Sequence, residues 1–176
     1  DIWKVDPYGK EKSICLTKGR AQKIQYRFIN TDRDEKYFND DATLLLKSFS
    51  EKDKRSGLSQ LFLATGEVKE LFFEPVAVAA NVQKAKNAAT VLYSKETYIQ
   101  SPNLFVRDEA NNQVKLTELN PQQQQYNWGT ASLFKWKAYT GKETEGILYK
   151  PENFDPAKKY PMIVYFYERN NNTLYN

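Results

Sequence analysis

A strand–turn–strand pattern that recurs along the chain is the feature that most constrains its fold. Each copy has an apolar or aromatic segment, a polar turn and a second apolar segment. The copies are Asp1–Thr17, Ser59–Phe73 and Asn103–Thr117. Short apolar segments joined by turn residues predict β-hairpins. Repetition at intervals of about fifty residues is near the period of β-propeller blades.

Further strand candidates lie between the hairpins at Gln25–Asn30, Thr43–Phe49 and Thr90–Ser94. Each interval therefore holds about the four strands of one propeller blade. The twelve Tyr, ten Phe and three Trp residues also favour sheet over helix. The Ala-rich segment 76–89 fits neither period, so both a short helix and an irregular connection stay open. The sequence predicts a mainly β fold.

A change of composition follows Leu119, where NPQQQQYNWG predicts a solvated linker. We place the domain boundary near Gln125, which gives a propeller part at 1–125 and a second region at 126–176. The polar composition buries little, so the linker is expected to connect two different architectures.

The second region begins with a predicted hairpin. Ser132–Ala138 and Gly146–Lys150 are its strands, and Thr140–Lys142 is its turn. The almost continuously apolar run Met162–Tyr167 is typical of a strand that is covered on both faces. No later residues of the chain supply that cover, so we expect this region to be the start of a larger domain.

Several classes of site are disfavoured by composition. The net charge is only +4 and the basic residues are interleaved with acidic ones, which disfavours nucleic-acid binding. The absence of histidine removes the commonest general base and metal ligand, and no metal or cofactor is predicted. No apolar stretch approaches 20 residues, so no membrane span is expected.

Other side chains that could carry chemistry have simpler interpretations. Cys15 is predicted to be a small buried residue. The acidic groups at Asp32–Glu35 and Asp40–Asp41 lack calcium-loop spacing and favour a solvated turn. Three tryptophans in separate segments favour core packing over a stacking platform: Trp3, Trp128 and Trp136. Asn171–Thr173 fits the glycosylation pattern, which chance often produces.

The order of these elements, ending in LYKPENFDPAKKYPMIVYFY, resembles the prolyl oligopeptidase and dipeptidyl peptidase IV family of serine peptidases. The spacing of six residues carries most of the resemblance: Pro151, Phe154, Asp155, Lys159, Tyr160 and Pro161. It implies about the last two blades of a propeller, followed by the first strands of an α/β-hydrolase domain. It also implies that the catalytic Ser, Asp and His lie beyond Asn176, and it favours a periplasmic or secreted location.

The resemblance implies one catalytic group in this chain. Tyr167 stands where relatives place a tyrosine whose hydroxyl donates to the oxyanion, and such a donor stabilises developing charge. The pattern of the residues is equally that of a strand-end aromatic. The chain departs from the relatives at Glu168–Asn172, where they have a small turn containing glycine.

The resemblance implies a fragment of a serine-type exopeptidase or oligopeptidase that hydrolyses short peptides and releases dipeptides. This piece would gate substrate access, join the propeller to the catalytic domain and be inactive alone. Its partners would be peptide substrates, the rest of its hydrolase domain and, through unpaired strand edges, other copies of itself. A noncatalytic propeller-like binding module is the alternative, and a periplasmic sugar-binding β protein is a third possibility.

Overall fold

The computed structural model describes residues 1–167 and 170–176, and the described chain is mainly β. The strands are β1 (Trp3–Lys4), β2 (Ile14–Cys15), β3 (Ile24–Phe28), β4 (Thr43–Ser50), β5 (Ser56–Phe62), β6 (Glu67–Glu74), β7 (Ala77–Val78), β8 (Gln83–Lys84), β9 (Val91–Thr97), β10 (Gln100–Arg107), β11 (Gln113–Lys115), β12 (Thr130–Lys137) and β13 (Glu143–Lys150). The helical segments are one α-turn, α1 (Gly19–Gln22), and two 3₁₀ turns, Pro121–Gln125 and Asn170–Thr173.

Two antiparallel sheets form the body of the chain, and neither closes on itself. The first sheet has the strand order β3-β4-β5-β6, and the second has the order β11-β10-β9-β7 with β8 also paired to β9. Sheets of about four antiparallel strands are the blades of a propeller. The predicted partial β-propeller is therefore confirmed, and all three predicted hairpins form as β1–β2, β5–β6 and β10–β11.

The β5–β6 hairpin shows why its local sequence specifies this shape. Gly66 has a φ of +71°, a conformation that glycine adopts without steric cost, and its amide donates to the Phe62 carbonyl at 2.8 Å. A second glycine allows close strand approach, because a Cβ at Gly57 would lie 1.9 Å from the Phe72 carbonyl oxygen. Larger residues at Gly57 would force these two strands apart.

The main core lies between the two sheets. Tyr93 is fully buried there, with its ring 4.9 Å from that of Phe72 and 6.0 Å from that of Phe105. Its hydroxyl donates to Gln113 Oε1 at 2.6 Å, and burial raises the pKa of this phenol. The other buried members of this core are Leu45, Leu58, Val76, Val78, Val82 and Val91.

The central strand β4 is buried on both faces. Leu45 points into the main core, whereas Leu44 and Leu46 enter a second cluster on the opposite face. That second cluster is covered by Ile2 and Leu16, which flank the short β1–β2 ribbon. The run of three consecutive leucines therefore has an apolar layer on either side.

The second region contains the predicted hairpin. Strands β12 and β13 pair from Thr130↔Lys150 to Lys137↔Glu143, with Gly141 at a φ of +82° in the turn. Of the two alternatives for the segment 76–89, the structure shows the irregular connection, which contributes the two-residue strands β7 and β8.

The structure corrects three sequence predictions. Residues Met162–Tyr167 pair with no strand of the described chain, and Ile163 is 96% exposed. A buried strand needs neighbours at both edges and a layer on each face, and the described residues supply neither. Cys15 is exposed, because the β1–β2 ribbon has only two residues per strand and all four of them are exposed. Trp3 and Trp136 are likewise exposed and do not lie in the core.

Within the described ranges, no helix has both the length and the apolar character needed to cross a membrane.

Candidate functional site

An ion pair joins the first blade to the β12–β13 hairpin. Lys54 lies in the β4–β5 turn, and its side chain is only 3% exposed. Its Nζ donates to Glu145 Oε1 and to the Glu51 carbonyl, both at 2.6 Å. The same Glu145 oxygen accepts a hydrogen bond of 2.7 Å from Asn171 Nδ2. One carboxylate on β13 therefore connects a blade turn, the hairpin and the last 3₁₀ turn, and we call these three residues, Lys54, Glu145 and Asn171, the junction.

A group of three aromatic rings joins the second blade to the same hairpin. The Tyr98 ring, at the β9–β10 turn, lies 5.2 Å from the ring of Tyr149 on β13 and 6.1 Å from that of Trp128. Trp128 Nε1 donates to the Gln123 carbonyl at 2.9 Å, and Gln123 Oε1 accepts from the Ser101 amide at 2.8 Å. The linker is mostly exposed, as the sequence predicts, yet these contacts fix its position against the blade.

The residues behind the family resemblance form a compact local turn. The rings of Phe154 and Tyr160 stack with centroids 5.1 Å apart, and the Asp155 amide donates to the Tyr160 hydroxyl at 2.9 Å. Asp155 Oδ1 accepts from the Ala157 amide, also at 2.9 Å. Lys150 Nζ lies 4.6 Å from the Phe154 ring centroid, within cation–π range. The spacing of this motif therefore reflects a self-contained turn that follows β13.

Tyr167, the predicted oxyanion donor, lies after this turn and outside any strand. Its side chain is 73% exposed, and its hydroxyl makes no hydrogen bond within the described ranges. The departure from the relatives begins at Glu168 and Arg169, which lie outside the described residues.

The acidic groups at Asp32–Glu35 and Asp40–Asp41 are exposed or half-buried, and two of their carboxylates have partners. The Asp34 amide donates to Asp32 Oδ1 at 3.0 Å, and Asp40 forms a 2.9 Å ion pair with Lys4. In the described part of the chain, no three acidic, cysteine or histidine side chains are grouped for a metal ion. Asn171, in the glycosylation pattern, is part of the junction.

A cleft of about 990 Å³ opens between β3 with its following loop and the segment 77–83. Residues 172, 173 and 176 also line it. Its charged lining residues are all basic, namely Arg27, Arg33 and Lys47, and no Asp or Glu of the described chain lines it. We call this feature the basic cleft.

Sequence reasoning did not identify the junction or the basic cleft. Lys54 and Glu145 are 91 positions apart, and no local pattern indicates that they meet. Arg27 and Lys47 face each other only because of the β3–β4 register. The sequence does place Arg27 and Lys47 in two successive predicted strands. Without the register of those strands, however, it does not show that the two cations are neighbours.

Three solved structures are similar to this chain. A serine-to-alanine variant of AtxE2 isopeptidase with Astexin3 bound matches 93% of the chain at 13% identity, with a TM-score of 0.61. A candidate dipeptidyl aminopeptidase IV from Bacteroides ovatus ATCC 8483 matches 86% at 19% identity, also with a TM-score of 0.61. Unliganded AtxE2 isopeptidase matches 87% at 13% identity, with a TM-score of 0.57.

The chain spans 24%, 20% and 22% of the lengths of those three solved chains, in the same order. No protein-family model matches the sequence, and no curated protein matches it. At such low identity the likeness concerns the fold alone. The described chain therefore shares the fold of one part of these larger isopeptidase and aminopeptidase chains.

Proposed function

We propose that this chain connects the propeller to the hydrolase domain in a serine-type peptidase that hydrolyses short peptides and releases dipeptides. In this proposal, residues 1–125 are propeller blades that limit access to the active site. Residues 126–176 begin the α/β-hydrolase domain, whose Ser, His and Asp perform the acyl transfer. The chain would contribute Tyr167 to the oxyanion site and would be inactive by itself.

The observation that carries the proposal is the extent of the structural likeness. Residues 1–125 make up less than three-quarters of the chain, so a match over 93% of it extends past the linker into the hairpin region. A likeness to blades alone would support any propeller. The match of blades and docked hairpin together, over 93% of the chain with an isopeptidase and over 86% with a candidate dipeptidyl aminopeptidase, favours a peptidase.

The contacts between the blades and the β12–β13 hairpin support a role in limiting substrate access. The junction and the aromatic group fix the hairpin to both blades, at the β4–β5 turn and the β9–β10 turn. A gate that limits access must keep a defined position relative to the catalytic domain. Two separate attachments restrict rotation of the hairpin more than one attachment does.

Peptidase activity of the full-length protein is the direct test. We expect it to release p-nitroaniline from Ala-Ala-p-nitroanilide and to be labelled by a fluorophosphonate probe, whereas residues 1–176 alone do neither. Acetylation of the substrate amino terminus distinguishes a dipeptide-releasing exopeptidase from an oligopeptidase, because dipeptide release requires a free amino group. Full-length protein with neither hydrolysis nor labelling would exclude the peptidase and favour the noncatalytic binding module.

We also propose that the isolated chain self-associates. Within the described residues, the edges of the two sheets include the unpaired strands β3, β6 and β11, and unpaired strand edges are templates for pairing with another chain. Light scattering of residues 1–176 should show a mass that increases with concentration. A constant monomer mass up to high concentration would contradict this expectation.

A further inference from the structure

We propose that the basic cleft binds a carboxylate group of a peptide ligand, either a C-terminal carboxylate or an acidic side chain. The identity of the ligand as a peptide rests on the proposed function. The carboxylate site itself follows from the arrangement of charges. Arg27 on β3 and Lys47 on β4 are directly opposite in the strand register. Such partners have Cβ atoms about 5 Å apart, and like charges in this position destabilise a sheet.

Nothing in the described lining of the cleft neutralises these cations. The described lining has three basic residues and no Asp or Glu side chain, and neither Arg27 nor Arg33 forms an ion pair within the described ranges. The acidic residues nearest in sequence, Asp32 and Asp34, do not line the cleft. An anion bound between the cations would relieve their repulsion.

Lys47 is the least exposed of the three cations. It is half-buried, and its Nζ donates to the Val78 carbonyl on the opposite wall of the cleft. Burial, and then the charge of Arg27, hold the pKa of this ammonium below its usual value. A bound carboxylate would counter both effects, so the ligand and the protonated lysine would stabilise each other.

The remaining lining suits a peptide. A guanidinium can bind a carboxylate through two parallel hydrogen bonds, and Arg27 and Arg33 are both exposed enough to reach a ligand. Side-chain amides supply neutral donors and acceptors that match a peptide backbone: Gln25, Asn30, Asn81, Gln83 and Asn172. The volume of about 990 Å³ is at the upper end of typical ligand pockets.

Calorimetry with blocked tripeptides tests the inference in the full-length protein. The probes are acetyl-Ala-Ala-Ala with a free carboxylate, its C-terminal amide, and acetyl-Ala-Glu-Ala amide. We expect at least one carboxylate-bearing peptide to bind tenfold or more tightly than the neutral amide. Binding by the first peptide alone would indicate a C-terminal ligand, and binding by the third would indicate an acidic side chain.

Charge-removing variants locate the site. Arg27→Gln and Arg33→Gln should each weaken binding about tenfold or more, whereas Lys12→Gln removes the same charge from the exposed β1–β2 turn and should leave it unchanged. Arg27→Gln should also keep or raise the thermal midpoint, because it removes a like charge opposite Lys47. A lower midpoint with unchanged binding would assign Arg27 a purely structural role and overturn the inference.

The other outcomes are equally decisive. Equal binding of the neutral amide, no binding of either carboxylate peptide, or tight binding of inorganic phosphate alone would each overturn the carboxylate site. Hydrolysis of Ala-Ala-p-nitroanilide is measured in parallel on the same protein. If the unmodified protein hydrolyses the substrate but binds neither carboxylate peptide, only the carboxylate site is refuted. If it binds a carboxylate peptide but does not hydrolyse the substrate, only the proposed peptidase activity is refuted.

Discussion

Replacing Glu145 with glutamine should lower the free energy of unfolding by about 3 kcal/mol, because it leaves the Lys54 ammonium buried without a counter-charge. Lys54 is 3% exposed and Glu145 is 24% exposed, so water screens this pair poorly. The backbone carbonyl of Glu51 remains as an acceptor, but a neutral dipole replaces a carboxylate poorly. Urea unfolding of the 176-residue chain measures the loss.

Two further variants separate a buried-charge effect from general damage. Lys54→Met combined with Glu145→Gln removes both charges and should recover most of the stability, since replacing a whole buried pair is often neutral. Asp40→Asn breaks the exposed Lys4–Asp40 pair, at a similar distance of 2.9 Å, and should leave the unfolding midpoint unchanged. A double variant no more stable than Glu145→Gln would show that the loss does not come from the isolated charge.

Replacing Tyr167 with phenylalanine should lower the turnover number of the full-length peptidase about 100-fold, which corresponds to losing one oxyanion donor worth about 3 kcal/mol. The Michaelis constant should change far less, because the hydroxyl would act mainly in the transition state. The unfolding midpoint should not change, since the side chain is exposed in this chain and its hydroxyl has no partner within the described ranges. Steady-state kinetics with Ala-Ala-p-nitroanilide gives both constants.

Tyr165 provides a matched control two residues earlier. It is also exposed, and it carries the same hydroxyl in the same apolar run. Tyr165→Phe should keep turnover within about twofold of the parent, because no catalytic contact is expected of it. Equal activities for the parent and for Tyr167→Phe would rule out Tyr167 as the oxyanion donor.

Local patterns predicted the elements whose determinants are adjacent in sequence. The Ser59–Phe73 hairpin was predicted from alternating apolar and polar residues on both sides of the turn at Thr65 and Gly66. The β12–β13 hairpin was predicted in the same way from the residues on both sides of Gly141. The bounds of β4 and β9 were also close to the prediction. In each case the turn residue and the hydrophobic period point to the same structure.

The errors come from contacts that lie outside the local pattern. Met162–Tyr167 has the composition of a buried strand, but burial requires partners that the described residues do not provide. Cys15 has apolar neighbours in sequence, yet all four residues of the two-stranded ribbon that contains it are exposed. The junction and the Arg27–Lys47 pair depend on long-range register, which one sequence does not reveal.

The double-sided burial of β4 links the start of the chain to the centre of the first blade. Asp1 holds the ribbon in place, because its carboxylate accepts from Thr17 Oγ1 at 2.8 Å and from the Gly19 amide at 2.6 Å. Leu46 packs in the cluster that this ribbon covers. The substitutions that Leu46 tolerates should therefore depend on Ile2 and Leu16, which lie thirty or more positions earlier in the chain.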